Sequence, residues 1–226
     1  MRCFAASGTN LFAGTGGGVF LSTNNGASWT AINTGLTGNG VYALAVSNTN
    51  LFAGISGHGV FLSTNYGTSW TEASTGLTKT HVSSLAVSGT NLFAGTYAGV
   101  FLSTNNGTSW TVASTGLTNT YVRSLAVLGT NLFAGTSGGI FLSSNNGTGW
   151  TAVNTGLTNT FVKALAVSGT NLFAGTADGV FLSANKGTTW TAANTGLANT
   201  YIWSLAVSST DLFAGTVGSG VWRRPL

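Results

Sequence analysis

Leu92-Phe93-Ala94-Gly95-Thr96 belongs to a phrase that returns six times, beginning at Leu11, Leu51, Leu92, Leu132, Leu172 and Leu212, with steps of 40, 41, 40, 40 and 40 residues. Such a period marks one supersecondary unit that buries its apolar faces only against its neighbours. The copies are closely alike: 82–121 and 122–161 share 29 of 40 residues without a gap. Around the phrase, Val82 to Ser88 roughly alternates as a strand does, and Gly89-Thr90 turns it into Asn91 to Thr96. Tyr97-Ala98-Gly99 turns the chain again into Val100-Phe101-Leu102-Ser103, and Asn105-Asn106-Gly107 leads into Ser109-Trp110-Thr111-Val112-Ala113. Asn-Gly is a strong hairpin signal, because both residues tolerate positive φ. The unit therefore reads as a four-stranded antiparallel meander, and repeats of this length and strand count build β-propellers.

The expected fold is all-β, a single propeller domain over 1–226 with repeat units near 1–40, 41–81, 82–121, 122–161, 162–201 and 202–226. First strands are expected at Cys3 to Ser7, Ala43 to Ser47, Ser84 to Ser88, Ser124 to Leu128, Ala164 to Ser168 and Ser204 to Ser208. Six blades are favoured, the last with three strands, and in it Arg223, Arg224 and Pro225 oppose further edge pairing. The alternative is a five-bladed ring with the surplus unit displaced or swapped. It would leave the apolar-rich segment 202–226 without a home.

The residues after the third strand carry a family resemblance. Ser22-Thr23-Asn24-Asn25-Gly26-Ala27-Ser28-Trp29, repeated at 63–70, 103–110, 143–150 and 183–190, resembles the Asp box of sialidase-type propellers, Ser-x-Asp-x-Gly-x-Thr-Trp. Asn24, Asn65, Asn105, Asn145 and Asn185 stand at the place of the Asp; their side-chain oxygens can still accept turn amides, but no carboxylate is left there for a cation. The resemblance implies a structural turn away from any active site, with the recurring tryptophans packing blades together.

Composition narrows the function. Lys and Arg number seven, Asp and Glu three, and the net charge is +4. The cations are mostly isolated along the chain, unlike the dense basic stripe of nucleic-acid binders, so no nucleic-acid partner is expected. Cys3 is the single cysteine, which excludes an intrachain disulfide. No run approaches the ~20 apolar residues of a membrane span, and no signal-peptide pattern precedes the first unit. The chain is either cytoplasmic or trimmed from something longer. Its ending resembles the junction at which secreted bacterial repeat proteins pass into a sorting tail, which makes a secreted or cell-surface location the expectation.

Glycosidase chemistry needs two carboxylates across the substrate. Glu72, Asp178 and Asp211 occupy disagreeing places in their units: an outer fourth strand, a second loop, and a turn between first and second strands. The three arginines and the Tyr-Glu pair of sialidases have no counterparts at matching positions. His58 and His81, even with Asp178 or Cys3, make a poor zinc set. No enzyme activity, metal or cofactor is expected, and the chain is expected to be a monomer.

Variation concentrates at one place. At the entry of each innermost strand stand Arg2, Tyr42, Ser83, Arg123, Lys163 and Trp203, while the Leu-Ala-Val that follows hardly changes from the second copy onward. A closed ring would gather these at one channel mouth, joined by His58, Lys79, His81, Tyr97, Tyr121, Phe161, Asp178 and Tyr201 from linkers and second loops. Aromatic faces beside cationic donors suit sugar rings or anionic groups. The reading is a noncatalytic binding or scaffold module for a glycan, peptide or surface polymer, with Arg2, Tyr42, His58, His81, Tyr97, Arg123, Lys163 and Trp203 as the candidate site. The competing readings are a sialidase-like hydrolase or its inactive descendant, and a drifted rim with no ligand.

Overall fold

The structure, a computed structural model, describes residues 1–38, 40–78 and 81–226. It is a six-bladed β-propeller without helices among the described residues: five four-stranded antiparallel sheets and a last sheet of three strands. The five-bladed arrangement is not adopted. The chain divides into two compact units, Met1–Val112 and Ala113–Leu226.

Innermost strands lie at Cys3–Ser7, Val41–Ser47, Val82–Ser88, Val122–Leu128, Val162–Ser168 and Ile202–Val207. From the second blade onward they begin two residues before the expected starts, because a bulge near their entry hides the alternation. Second strands run Asn10–Thr15, Asn50–Ile55, Asn91–Thr96, Asn131–Thr136, Asn171–Thr176 and Asp211–Thr216. Third strands are Gly18–Ser22, Gly59–Ser63, Gly99–Ser103, Gly139–Ser143, Gly179–Ser183 and Val221–Pro225, and the short fourth strands are Thr30–Ala31, Thr71–Glu72, Thr111–Val112, Thr151–Ala152 and Thr191–Ala192.

The recurrent Leu-Phe pair of the second strand explains how blades stack. Consecutive residues of a strand point to opposite faces, so Leu and Phe serve different neighbours. In the first unit Phe12 packs in one cluster with Leu51 of the next blade, and Phe52 in another with Leu92. In the second unit Phe133 meets Leu172, and Phe173 meets Leu212. The glycine two residues after Phe has a steric reason. A Cβ on Gly14, Gly54, Gly135 or Gly175 would stand 2.6 to 2.8 Å from Val41, Val82, Val162 or Ile202, the first innermost-strand residue of the next blade. Those four residues are fully buried.

The turns after the third strands are built alike. In the third blade Ser103 Oγ donates to Asn105 Oδ1 at 2.9 Å and accepts from Gly107 N at 2.8 Å, while Ser109 N donates to the same Asn105 oxygen at 2.9 Å. Asn106 and Gly107 follow with φ of 55° and 82°, as the Asn-Gly signal requires. The turn delivers Trp110 to the preceding blade, where its backbone N donates to Thr75 O and its Nε1 to Ala73 O, both at 2.8 Å. Trp70, Trp150 and Trp190 repeat both bonds on Thr34 and Ile32, Thr115 and Ala113, and Thr155 and Val153. Trp29 instead bonds its own turn, Nε1 to Gly26 O at 3.1 Å, and is only half-buried.

Trp190→Ala is expected to lower unfolding free energy by about 3–5 kcal/mol, through lost packing and an orphaned carbonyl. Trp29→Ala should lose less than half as much. Urea unfolding followed by circular dichroism reads both; equal losses would show that the inter-blade latch is not what holds these rings.

Candidate binding site

Tyr42, Ser83, Arg123, Lys163 and Trp203 share one backbone feature. In blades two to six the register between first and second strands skips one residue, and these are the residues skipped: Val41 pairs Ile55 and Ala43 pairs Gly54, leaving Tyr42 between them. The same shift passes over Ser83, Arg123, Lys163 and Trp203. A β-bulge re-aims the extra side chain away from the ladder. The residue before it fills the core, and the bulged residue is released from packing.

In the first unit the bulged Tyr42 joins a stack with residues outside the ladder. The Arg2 guanidinium lies 4.1 Å from the Tyr42 ring centre, Tyr42 is 5.0 Å from His81, and His81 is 4.0 Å from Tyr97. Ser56 organises both histidines: its hydroxyl bonds His81 Nδ1 at 2.7 Å, and its carbonyl lies 3.1 Å from His58 Nδ1. Ser56 sits in the three-residue loop of this blade, where the third and fourth blades have two residues. Burial, and then the nearby Arg2 charge, lower the His81 pKa. Lys79 lies outside the described residues.

The second unit carries a longer ladder. Arg123 lies between Tyr121 and Phe161, 4.4 Å from each ring centre, with Nε donating to Ser137 Oγ at 3.1 Å. Lys163 Nζ follows, 5.2 Å from Phe161, 6.0 Å from Tyr201 and 3.9 Å from Trp203. Desolvation, and then the Arg123 charge, lower the Lys163 pKa. Trp203 ends the ladder with 60% of its surface exposed. No carboxylate joins either stack among the described residues. Asp178 is exposed and bonds only through its backbone. Asp211 differs from its expected place in a turn: it opens a second strand, is buried, and holds Arg223 Nε at 2.8 Å. The Arg223 hydrogen bond, then that of Thr210, lower its pKa.

The site thus gathers Arg2, Tyr42, His81 and Tyr97 in one stack, with His58 tied to it through Ser56, and Arg123, Lys163 and Trp203 in another. Tyr121, Phe161 and Tyr201 are ladder members as well, each from the linker before a bulged strand. Cys3 takes no part; burial pushes its thiol up to about 12. Among the described residues no group of three or more His, Cys, Asp or Glu is placed to hold a metal.

Residues 85–202 match the DUF6242 beta propeller domain. The chain belongs to this family. No curated protein matches the sequence. Among solved structures it is similar to the extracellular domain of the BT4673 protein of B. thetaiotaomicron, with TM-score 0.82 and 19% identity over 98% of this chain and 32% of that one. An ancestral GH74 enzyme gives TM-score 0.77 and 23% identity over 98% of this chain and 36% of its own. PorZ, a bacterial surface component of the type-IX secretion system of Porphyromonas gingivalis, gives 0.70 and 15% over 99% and 32%. The DUF6242 chain spans about a third of each of these structures. Its described residues include no helix long and apolar enough to cross a membrane.

Because His81 folds with a lowered pKa, the unfolded state takes up a proton below about pH 6.5 that the folded state resists, so stability falls as pH drops through that value. His81→Phe keeps a stacking ring and should flatten the melting-temperature difference between about pH 7.5 and about pH 5.5. An unchanged difference in differential scanning fluorimetry would place the acid sensitivity elsewhere.

Proposed function

We propose that this chain is a noncatalytic binding module that recognises an acidic or strongly polar glycan at the ends of its bulged strands. One observation carries the reading: cations without carboxylate partners stand between aromatic rings, and the ladder ends on the exposed Trp203. A ring held against Arg or Lys loses little conformational freedom on binding. Trp203 offers a flat apolar face to a sugar ring, and Arg123 and Lys163 favour a neighbouring anionic substituent. The turns that resemble Asp boxes lie at the other end of the strands and serve packing.

Hydrolysis is not part of this reading. In the second unit Asp178 follows the end of a second strand, Asp211 begins one, and the latter is committed to Arg223. The reading therefore does not draw on the carboxylate pair that glycoside cleavage needs. A secreted or cell-surface location is consistent with neighbours that include an extracellular domain and a bacterial surface component.

Affinity electrophoresis through gels of polygalacturonate and of neutral xyloglucan tests the proposal. Retardation is expected in the acidic gel, weakening as salt rises. The double variant Arg123→Ala, Trp203→Ala should weaken it by about 100-fold, the effect of losing one stacking and one charge contact together, with its circular-dichroism spectrum and cooperative unfolding kept at a lower melting temperature. Equal retardation of the double variant, or loss only on changes at Asn105 or Lys186, would move the binding face to the opposite end.

A further inference from the structure

His81, Tyr121, Phe161 and Tyr201 stand at one place in successive units, in the linker just before a bulged strand. In the second unit the rings at this place flank the cations of the bulges, Arg123 and Lys163. The third blade departs from that pattern twice. Its bulged residue is Ser83, which carries no charge and donates its hydroxyl to Gly95 O at 2.9 Å, and the ring of its linker is an imidazole. That imidazole is held between two phenols, with its centre 5.0 Å from Tyr42 and 4.0 Å from Tyr97. Once protonated it is a cation between aromatic rings, as Arg123 is between Tyr121 and Phe161.

The surroundings of His81 serve both protonation states. Ser56 Oγ lies 2.7 Å from Nδ1; a hydroxyl can donate to the neutral nitrogen and, turned about its C–O bond, accept from the protonated one. His81 Nε2 bonds no described residue. The groups around the ring come from three blades: Arg2, which lies 4.1 Å from the Tyr42 ring, Tyr42 itself, Ser56 with His58 on its carbonyl, and Tyr97. Lys79, on the same linker, lies outside the described residues. None of these is acidic. Glu72 is the single acid of residues 1–112 and stands in an outer fourth strand. Burial, then the Arg2 charge, oppose the imidazolium, and an anion beside the ring relieves the second of these.

We propose that the stack of Arg2, Tyr42, His81 and Tyr97 is a second binding site, for an acidic sugar, that opens in acid as protonation of His81 supplies the cation that Ser83 lacks. The sugar ring lies against Tyr97, which is 42% exposed, with its anionic group beside His81 and within the field of Arg2. The ligand class rests on the proposed binding role, but none of these residues belongs to the ladder. Because the charge appears on the folded chain only below the ordinary histidine range, affinity rises as pH falls. By linkage, bound ligand raises the His81 pKa.

The test uses the whole chain carrying Arg123→Ala and Trp203→Ala, which removes the ladder's contacts. It is titrated by isothermal calorimetry with a κ-carrageenan tetrasaccharide, whose sulfate esters stay ionised throughout, at about pH 7.5 and about pH 5.0. Affinity is expected to be about tenfold greater at the lower pH, the effect of one added charge-assisted contact. Adding His81→Phe keeps a ring in the stack and should abolish the rise, whereas adding His58→Gln should keep it. In proton resonances of the imidazole rings, saturating tetrasaccharide should move the His81 titration to higher pH, which a merely structural histidine would not show. Absence of binding at the lower pH, equal affinity at both, or a rise that survives His81→Phe overturns the proposal. The ladder is judged separately, by whether the unaltered chain binds the tetrasaccharide more tightly than the double variant at the higher pH.

Discussion

The tryptophan indole held by a carbonyl of the blade before it is the contact on which this structure rests. A buried indole N–H without an acceptor costs on the order of 1–3 kcal/mol, so each of blades two to five is committed to its predecessor. Other recurrent features follow from that commitment. The Ser-x-Asn-x-Gly turn exists to aim the ring, the linker glycine exists because the tryptophan backbone lies where a side chain would be, and the Leu-Phe alternation fills the space that the ring encloses. With so much of the interface specified by packing and neutral hydrogen bonds, the fold needs few charges, and Arg223–Asp211 is the one ion pair among the described residues.

That poverty of charge gives the exposed cations their character. Arg123 and Lys163 are not neutralised by acids; aromatic rings shield them on their flanks and leave their remaining hydrogen-bonding capacity outward. Ring contacts of this kind stabilise by about 0.5–2 kcal/mol without quenching the positive potential. The ladder is stacked and still electropositive.

Most of the architecture was legible in the sequence because each blade repeats the same local chemistry. The 40-residue step, the Asn-Gly turns and the alternation around Leu-Phe-Ala-Gly identify strands, order and blade count. In the blade count the innermost strands from the second blade onward start two residues late, although the pattern of the third unit extends from Val82 as the strand does. A bulge breaks the period of two at Tyr42, Arg123, Lys163 and Trp203, and the alternation that marks a strand's start is lost there. The same residues stood out as variable, so their importance was visible while their geometry was not. The stacking of Arg123 between Tyr121 and Phe161 joins residues 40 positions apart, a pairing no local pattern encodes. Ser56 as the anchor of both histidines left only one trace, the extra residue in its loop.

The near-identity of the latches has a kinetic side. Because Trp70, Trp110, Trp150 and Trp190 present the same groups to the same receptor, the contact energies scarcely distinguish a correct neighbour from a blade one or two repeats away. Chain connectivity must do so, since closing the short linker costs less entropy than closing a loop that skips a blade, by a margin that grows only logarithmically with length. A chain of this kind folds in the right order when each blade meets its predecessor first, and during refolding from denaturant it is exposed to out-of-sequence docking and exchange between molecules.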